Sequence, residues 1–422
     1  MKTDKEKILE IIHSSIESVK PGNIFPEKIS LNENILQICG SIFNLDEIKN
    51  IFVVGIGKAS AEMALCLENI LGNRITAGIA VTKEGHSSQT KIVKVIEASH
   101  PYPDERSLTA GNEILSLCKR ADKNDLVINL ISGGGSVLAE VLKEKIKLAE
   151  WIELNKFLIN SGADISEINS IRQKISKIKN GGLLCFIYPA ESISLIISDV
   201  IGDKLEFIAS GPTFYKQTNI NTILEIINKY QIDKHFSKDI LDYLIEDTVN
   251  EKPQNSVKNF IIANNDWLLI NAKLEAEKLG YNNIIVNREI SGEVEILSKQ
   301  IAQEMINKKN TLLIYGGEST VKVKGKGKGG RNQELVLRIF NELKDTNHNF
   351  VIASAGSDGT DGPTEAAGAI LTSNDINNQI CTEINSYLDQ NDSYNFHKLN
   401  GSLIKTGPTK TNVMDLIIGY LK

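Results

Sequence analysis

Ile51-Phe-Val-Val-Gly-Ile-Gly-Lys-Ala-Ser60 is the stretch on which the fold turns. Its first six residues are a short apolar run, closed by Gly55 and Gly57 with Lys58 beside them. Apolar residues at helical spacing follow over 59–71. Strand, tight loop and helix in that order open a βα unit. Downstream, Asp104 is placed to cap a helix running through Lys119, with Leu108, Leu115 and Cys118 on one face. Residues 126–131 form a second apolar strand, which ends in Ser132-Gly-Gly-Gly-Ser136 and a further helix. A third strand, Ser194-Leu-Ile-Ile-Ser198, ends in Asp199. Strands that are apolar throughout are covered on both faces, as in a parallel sheet between helices. All three carry glycine or polar residues at the carboxyl end, where open α/β sheets bind ligands.

A polar stretch at 246–256, containing one proline, reads as a linker. A second α/β pattern begins after it. Strands are expected at 260–263, 283–287, 311–315 and 350–354, with helices at 266–279, 293–308 and 332–343. Residues 320–324 alternate with a period of two and read as another strand.

The 422 residues are ample for two or three domains with proper cores. With 41% hydrophobic and 24% charged residues, 31 glycines and only 9 prolines, a collagenous or broadly disordered chain is excluded. The 47 basic and 53 acidic residues leave a net charge of −6, which disfavours a dedicated nucleic-acid binder. The 5 cysteines are odd in number, widely spaced and free of any CxxC pair, so reduced, mostly buried thiols are expected. No apolar run is long enough to span a membrane and no signal-peptide pattern is seen at the start. A cytoplasmic location is expected, with no membrane or nucleic-acid partner.

Several loops carry candidate chemistry. Gly55, Gly57 and Lys58 lie at a strand–helix junction, where free N–H groups attract anions and a lysine adds charge. The spacing matches neither GxxxxGK[ST] nor GxGxxG, since Ser60 stands at the third glycine. A solvated lysine is the plain alternative. Gly133, Gly134 and Gly135, flanked by Ser132 and Ser136, read as an anion nest or as a flexible turn. Asp199 and Asp203 can hold Mg²⁺ or accept a hydroxyl proton, and either can equally cap a helix. Glu318 follows two glycines. In the loop 325–330, Lys326, Lys328, Gly329 and Gly330 lead into Arg331 and Asn332 at a helix start, a combination suited to a triphosphate. Asp358 and Asp361 share a glycine-rich turn that could bind a cation or simply be rigid. His100, in a stiff His-Pro-Tyr-Pro turn, could donate to a substrate carboxylate or be a packed histidine.

Taken together, in order along the chain, these motifs resemble the glycerate 2-kinases that carry a MOFRL domain. The resemblance rests on GxGKAS at 55–60, HPxPDE at 100–105, SGGGS at 132–136, SGADISEIN at 161–169 and SKIKNGG at 176–182. It continues with SDVIGD and IASGPT within 198–213, GGExTV at 316–321, GKGGRNQE at 327–334, SDGTDGPT at 357–364 and TGPTKTNVMD at 406–415. Asn180 and Ser357 depart from the usual Gly and Thr. The resemblance implies two α/β domains with the active site in the cleft between them. The first, 1–250, would be Rossmann-like, with the tail 401–422 returning to it; the second, 256–400, would be of MOFRL type. The implied reaction is ATP- and Mg²⁺-dependent phosphorylation of D-glycerate on its 2-hydroxyl. Lys58 and Arg331 are the implied catalytic cations, with Asp199 beside them. The phosphates would fall to the loops at 55–57, 132–136 and 326–332, the metal to Asp203, Asp358 and Asp361, and the substrate to His100 and Glu318. The alternative is a NAD(P)-dependent hydroxypyruvate reductase, and a third reading is a sugar-acid sensor. A homo-oligomer is left open.

Overall fold

The structure is a computed structural model that describes residues 2–217, 219–246, 257–375 and 378–422. Residues 247–256, almost all of the expected linker, lie outside the described residues. The chain divides into two compact units, Ile24–Ile262 and the combination of Met1–Asn23 with Ala263–Lys422.

The Ile24–Ile262 unit begins with an antiparallel meander of β1 (Ile29–Asn32), β2 (Ile35–Ile38) and β3 (Ser41–Asn44). Its main sheet contains β4 (Ile51–Ile56), β5 (Ile75–Lys83), β6 (Val93–Ala98), β7 (Leu126–Ser132), β8 (Glu191–Ile197) and β9 (Val257–Ala263), in the order β6-β5-β4-β7-β8-β9. The pairs β4/β5, β5/β6, β4/β7 and β7/β8 are all parallel. This is the doubly wound, Rossmann-like order, and the chain reverses direction across the sheet between β4 and β7. β4 and β7 are buried at every residue, in accord with their largely apolar sequence; the buried Asn129 inside β7 donates through Nδ2 to Ser192 Oγ and Ile193 O at 2.8 and 3.2 Å. Helices Ser60–Leu71 and Glu105–Cys118 make the crossovers, the second begun by an Asp104 capping box. β5 and β6 escape the sequence reading for physical reasons. Gly78 interrupts β5, yet a Cβ there would come within 2.8 Å of Val93 Cγ2 and 2.9 Å of Val53 Cβ. β6 is an edge strand with exposed Lys94 among its residues, so it lacks a continuous apolar run. Between β7 and β9 the chain builds a separate helical core around Trp151, Leu154, Ile168, Ile171, Ile223 and Ile240.

In the other unit, helix Asp4–Ser18 packs on helix Asn265–Lys278. Its sheet has the order β10-β11-β15-β12-β13-β14, with β10 (Ile284–Glu293), β11 (Leu312–Thr320), β12 (Phe350–Gly356), β13 (Gly368–Thr372), β14 (Leu403–Ile404) and β15 (Asp415–Leu421). β10/β11 is parallel; the remaining pairs are antiparallel. Three expectations are corrected here. The tail 401–422 does not return to the first unit: β15 lies between β11 and β12, with Ile418 opposite both Ile314 and Ala353. A strand this apolar needs partners on both edges, and a unit ending at 400 would lack its central strand. The first helix likewise belongs with 263–422, where Lys7 Nζ donates to Leu279 O and Tyr281 Oη to Asp4. The strand expected at 320–324 is absent: β11 ends at Thr320, and Lys322, Val323 and Lys324 are exposed.

Candidate active site

The loops that follow β4 and β7 meet at the reversal point of the sheet. Gly57 has φ 135°, and a Cβ there would fall 2.2 Å from Ser132 Oγ and 2.4 Å from Ser132 O. Backbone therefore lies on backbone. Gly57 N donates to Val81 O at 3.1 Å, Lys58 N to Gly133 O at 2.9 Å and Ala59 N to Ser132 Oγ at 3.0 Å. The Ser60 hydroxyl donates to Val81 O at 2.8 Å. These bonds overturn part of the expectation for the first loop. The N–H groups of Gly57 and Lys58 already have acceptors, and the buried Ser132 hydroxyl receives the Ala59 N–H. Gly55 is inside β4, where a Cβ would approach Ala80 Cβ to 2.8 Å. Gly55, Gly57 and Ser132 thus join two loops rather than cradle a phosphate, and the first loop contributes the Lys58 side chain.

The three glycines that follow leave room for chemistry. A Cβ on Gly133 would lie 1.7 Å from Asp199 Oδ2, so the Asp199 carboxylate sits directly over that residue. At Gly134, with φ 78°, the nearest atoms to such a Cβ are Lys58 Cγ at 3.1 Å, Lys58 Cε at 3.2 Å and His100 Cδ2 at 3.3 Å. At Gly135 the nearest is Ala209 Cβ at 2.7 Å. Each missing side chain makes space for a different neighbour. An ammonium, an imidazole and a carboxylate, all on half-buried residues, are drawn to one segment from the carboxyl ends of β4, β6 and β8. Ala209, Ser210 and Gly211 are consecutively left-handed, with φ of 50°, 62° and 66°. Such strain costs on the order of 1–3 kcal/mol at a non-glycine residue and persists only where the surroundings enforce it. Here Ser210 Oγ donates to Asn169 at 2.7 Å, and Asn180 N and Gly181 N donate to Ser210 O and Gly211 O at 3.1 and 2.7 Å. Asp203 lies on the turn Ile201–Asp203, just beyond Asp199.

Below this loop runs a buried ion pair, Glu140 with Lys179, whose side chains are 0% and 1% exposed. Ser176 Oγ donates to the same carboxylate at 2.5 Å. Burial pulls the Lys179 pKa down and the Glu140 charge works against that. Ser136 accepts a 3.5 Å contact from Arg172 Nη1, while Arg172 Nε donates to Asn155 Oδ1 at 2.7 Å. Nothing in the sequence of helix Ile165–Ile175 marks Arg172 as special; it was missed.

The basic loop of the second unit is built differently. A Cβ on Gly325 would meet Gln390 O at 2.3 Å, on Gly327 Asp392 Cβ at 2.4 Å, on Gly329 Ser393 Oγ at 2.3 Å and on Gly330 Asp361 Cγ at 2.3 Å. The N–H groups of Lys324 and Gly325 donate to Asn391 Oδ1, that of Gly327 to Gln390 O and that of Lys328 to Asp392 Oδ1. Gly325, Gly327 and Gly329 let the loop lie close on the turn at 390–393 and Gly330 on Asp361, and the N–H groups of Gly325, Gly327 and Lys328 are taken up there in place of the phosphate expected at this loop. Lys326 is exposed, and Lys328 Nζ sits 4.5 Å from the Tyr394 ring centroid and 3.9 Å from Glu365.

Asp361 caps the helix Arg331–Leu343. It is 2% exposed, and its two oxygens accept from Asn332 N, Asn332 Nδ2, Gln333 N and Gln333 Nε2 at 2.9–3.3 Å. Burial lifts its pKa to about 6 against the pull of those donors. Both Asp361 and the buried Asn332, whose Oδ1 accepts from Ser354 Oγ, are therefore structural, in place of the metal and nucleotide roles expected for them. Asp358 closes a local turn, accepting from Thr360 N at 2.9 Å and Thr360 Oγ1 at 3.0 Å. Among the described residues, no group of three His, Cys, Asp or Glu side chains converges to hold a metal.

Arg331 is doubly bound to Asp415, through Nε at 2.5 Å and Nη2 at 2.9 Å, and its Nη1 meets Glu318 at 2.7 Å. Burial disfavours the charge, but Asp415 and Glu318 overcome it and raise the pKa. Asp415 is 2% exposed and Glu318 44%, so one partner is fixed and the other open to solvent. Asp415 was quoted within a motif without a role; as the first residue of β15 it pairs in register with Gly317 and Gly356.

A doubly wound sheet that concentrates lysine, histidine and aspartate at its reversal point defines the class of this chain as an α/β enzyme. Known proteins carry the assignment further. Residues 7–245 match the family described as a domain of unknown function, DUF4147, and residues 311–415 match the MOFRL family. The chain is 36% identical to the D-glycerate 2-kinase of Thermotoga maritima, over 99% of this chain and 98% of that one. It is also 36% identical to the glycerate 2-kinase of Pyrococcus horikoshii, over 98% and 96% of the two chains. The crystal structure of glycerate kinase from Thermotoga maritima aligns with a TM-score of 0.84 at 35% identity, covering 99% of each chain. The chain belongs to the glycerate 2-kinase family with a MOFRL domain. Among the described residues, no helix is long and apolar enough to cross a membrane.

Proposed function

We propose that this enzyme transfers the γ-phosphoryl group of ATP to the 2-hydroxyl of D-glycerate, giving 2-phosphoglycerate and ADP. The observation that supports this best is the segment 133–135, whose glycines admit Lys58, His100 and Asp199 to one place. Phosphoryl transfer leaves a protein mainly positioning and charge stabilisation. Lys58 supplies the positive charge for the transferring group. Asp199 accepts the proton of the 2-hydroxyl as the new O–P bond forms and the bond to ADP breaks. His100, beside Lys58, donates a hydrogen bond to the substrate.

Mg²⁺, when bound, neutralises phosphate charge. The oxygen donor Asp203, just beyond Asp199, would suit it, because Mg²⁺ is often held by one or two carboxylates with the substrate's own phosphates. In the other unit, the charge of Arg331 is already met by two carboxylates, Asp415, which is buried and keeps the guanidinium in place, and Glu318, which is open to solvent.

The reductase alternative is not favoured. A dinucleotide turn needs backbone N–H groups for the pyrophosphate, and those of Gly57 and Lys58 are spent on Val81 and Gly133. Phosphorus NMR of a fresh reaction with ATP and D-glycerate is expected to show 2-phosphoglycerate. A product that is only 3-phosphoglycerate, or NADH oxidation with hydroxypyruvate and no phosphoryl transfer, would overturn the assignment.

A further inference from the structure

We propose that Arg172 recognises the carboxylate of the hydroxy-acid substrate, with the Ser136 hydroxyl sharing the bound oxygen. This rests on the kinase reading above and adds to it the group that makes the site selective for an acid.

Arg172 lies in the last turn of helix Ile165–Ile175, whose start is set by a capping box of Asp164 and Glu167. Asn155 Oδ1 holds Nε at 2.7 Å and so orients the guanidinium plane. The Nη1 contact to Ser136 Oγ, at 3.5 Å, is at the outer limit of a hydrogen bond and is easily exchanged for a better acceptor. Among the described residues no carboxylate forms an ion pair with Arg172, whereas Arg331 and Arg338, which are also partly buried, hold two and one. Glu140 lends Arg172 some charge from a distance, but its own oxygens are bonded to Lys179 and Ser176. A partly buried guanidinium held by neutral partners alone has lost hydration without gaining an anion. A substrate carboxylate would supply one.

The position fits a small substrate. Ser136 is three residues from Gly133, so Arg172 and Asp199 flank a segment at most about 10 Å long. In glycerate the carboxylate is attached to the carbon that bears the reacting hydroxyl. Holding the one at Arg172 presents the other towards Gly133 and Gly134, beside which Asp199 and Lys58 lie. The planar fork of arginine matches a planar carboxylate, while Lys58 is a point charge better suited to the phosphoryl group.

The test compares D-glycerate with D-glyceramide, its neutral amide, in the wild-type enzyme and in the Arg172→Gln and Arg172→Lys variants, with melting temperatures taken alongside. Wild type should strongly prefer the acid. In Arg172→Gln the KM for glycerate should rise about 10–100-fold, the range of a lost charged hydrogen bond, with the KM for ATP unchanged. The preference over the amide should largely collapse, and Arg172→Lys should restore part of it. A rise in the KM for ATP instead would assign Arg172 to a phosphate and overturn the proposal. So would an acid-over-amide preference that survives in Arg172→Gln, equal use of acid and amide by wild type, or failure of both variants to fold. If wild type does not phosphorylate glycerate at all, the kinase reading itself falls; if it does and only the Arg172 pattern is absent, this inference falls alone.

Discussion

Two loops rich in glycine read alike in sequence and use their glycines in opposite ways. In the segment 133–135 the space left by each missing Cβ is filled by side chains from elsewhere, among them Asp199, Lys58 and His100. In the loop 325–330 it is filled by the turn at 390–393 and by the cap carboxylate of Asp361. The first loop gathers reactive groups; the second packs closely on other parts of its own unit, and the N–H groups of Gly325, Gly327 and Lys328 donate there to Asn391, Gln390 and Asp392. Glycine content and nearby lysines therefore do not identify an anion site. What distinguishes the two is which side chains come close: Asp199, Lys58 and His100 at the first loop, and mainly the turn at 390–393 with the helix-capping Asp361 at the second.

The sharpest way to break this comparison is to remove charge packed against the first loop and charge carried by the second. Lys58→Ala is expected to lower turnover roughly 10²–10³-fold, the cost of a preorganised charge at a transferring group. Its melting should hardly move, since the residue is half-buried and leaves no core cavity. Lys326→Ala and Lys328→Ala should remain within about twofold of wild type, as surface substitutions do. Steady-state kinetics on the three variants decides the matter. A hundredfold loss at Lys326 or Lys328 would restore the phosphate cradle to the second loop and remove the distinction.

The same contrast explains what could be read in advance. β4, β7 and β8 were legible because strands buried on both faces are dominated by apolar residues. β6, at the sheet edge, and β5, broken by Gly78, lack that signal. Lys58 and Asp199 stood out in the sequence as polar residues at strand ends, and His100 as part of a stiff His-Pro-Tyr-Pro turn. The partner of Arg331 was less so, because Asp415 is brought to it by antiparallel pairing of β15 with β11 and β12. A strand placed between two others that precede it in sequence is invisible to periodicity, and so was the true boundary of the second unit. The displaced role of Asp361 has the same origin: its cap geometry depends on a helix that begins about thirty residues earlier, at Arg331.

Adding one methyl to each loop sharpens the comparison further. In Gly133→Ala the new Cβ would collide with the Asp199 carboxylate, which must swing away. Turnover should fall at least about tenfold, as misplacing a catalytic group by an ångström typically does, with a smaller effect on melting. In Gly327→Ala the collision is with Gln390 O and Asp392 Cβ at 2.5 and 2.4 Å. That strain should appear as about 1–3 kcal/mol of lost stability, while kcat for the folded fraction is preserved. Denaturant unfolding and initial rates on the same preparations separate the two outcomes. Equal losses of activity in both variants would mean that the loops do not differ in the way described.

The smallest expected effect tests the cap that ends the second loop, through pH. Gln333 bonds two titratable groups: its Nε2 donates to Asp361, and its backbone carbonyl lies 2.9 Å from His397 Nε2. Burial lifts Asp361 from 3.8 to about 6 and pushes His397 from 6.5 down to about 4. For Asp361 the folded state holds the proton more tightly, so its contribution is complete below pH 3.8 and is lost as pH rises through about 6. For His397 the unfolded state takes the proton first, so its contribution is complete above pH 6.5 and is lost as pH falls towards about 4. Between pH 4 and 6 the two oppose each other and largely cancel in the wild type. Asp361→Asn leaves His397 alone, so its melting temperature, relative to wild type, should fall on acidification across that window. His397→Gln leaves Asp361 alone, and its difference from wild type should have the opposite sign. One uncompensated proton is about 1.4 kcal/mol per pH unit, or on the order of 2–5 °C in melting for a unit of this size. Slopes of the same sign in the two variants would show that Asp361 is not held as a buried cap and would reopen its assignment to a metal.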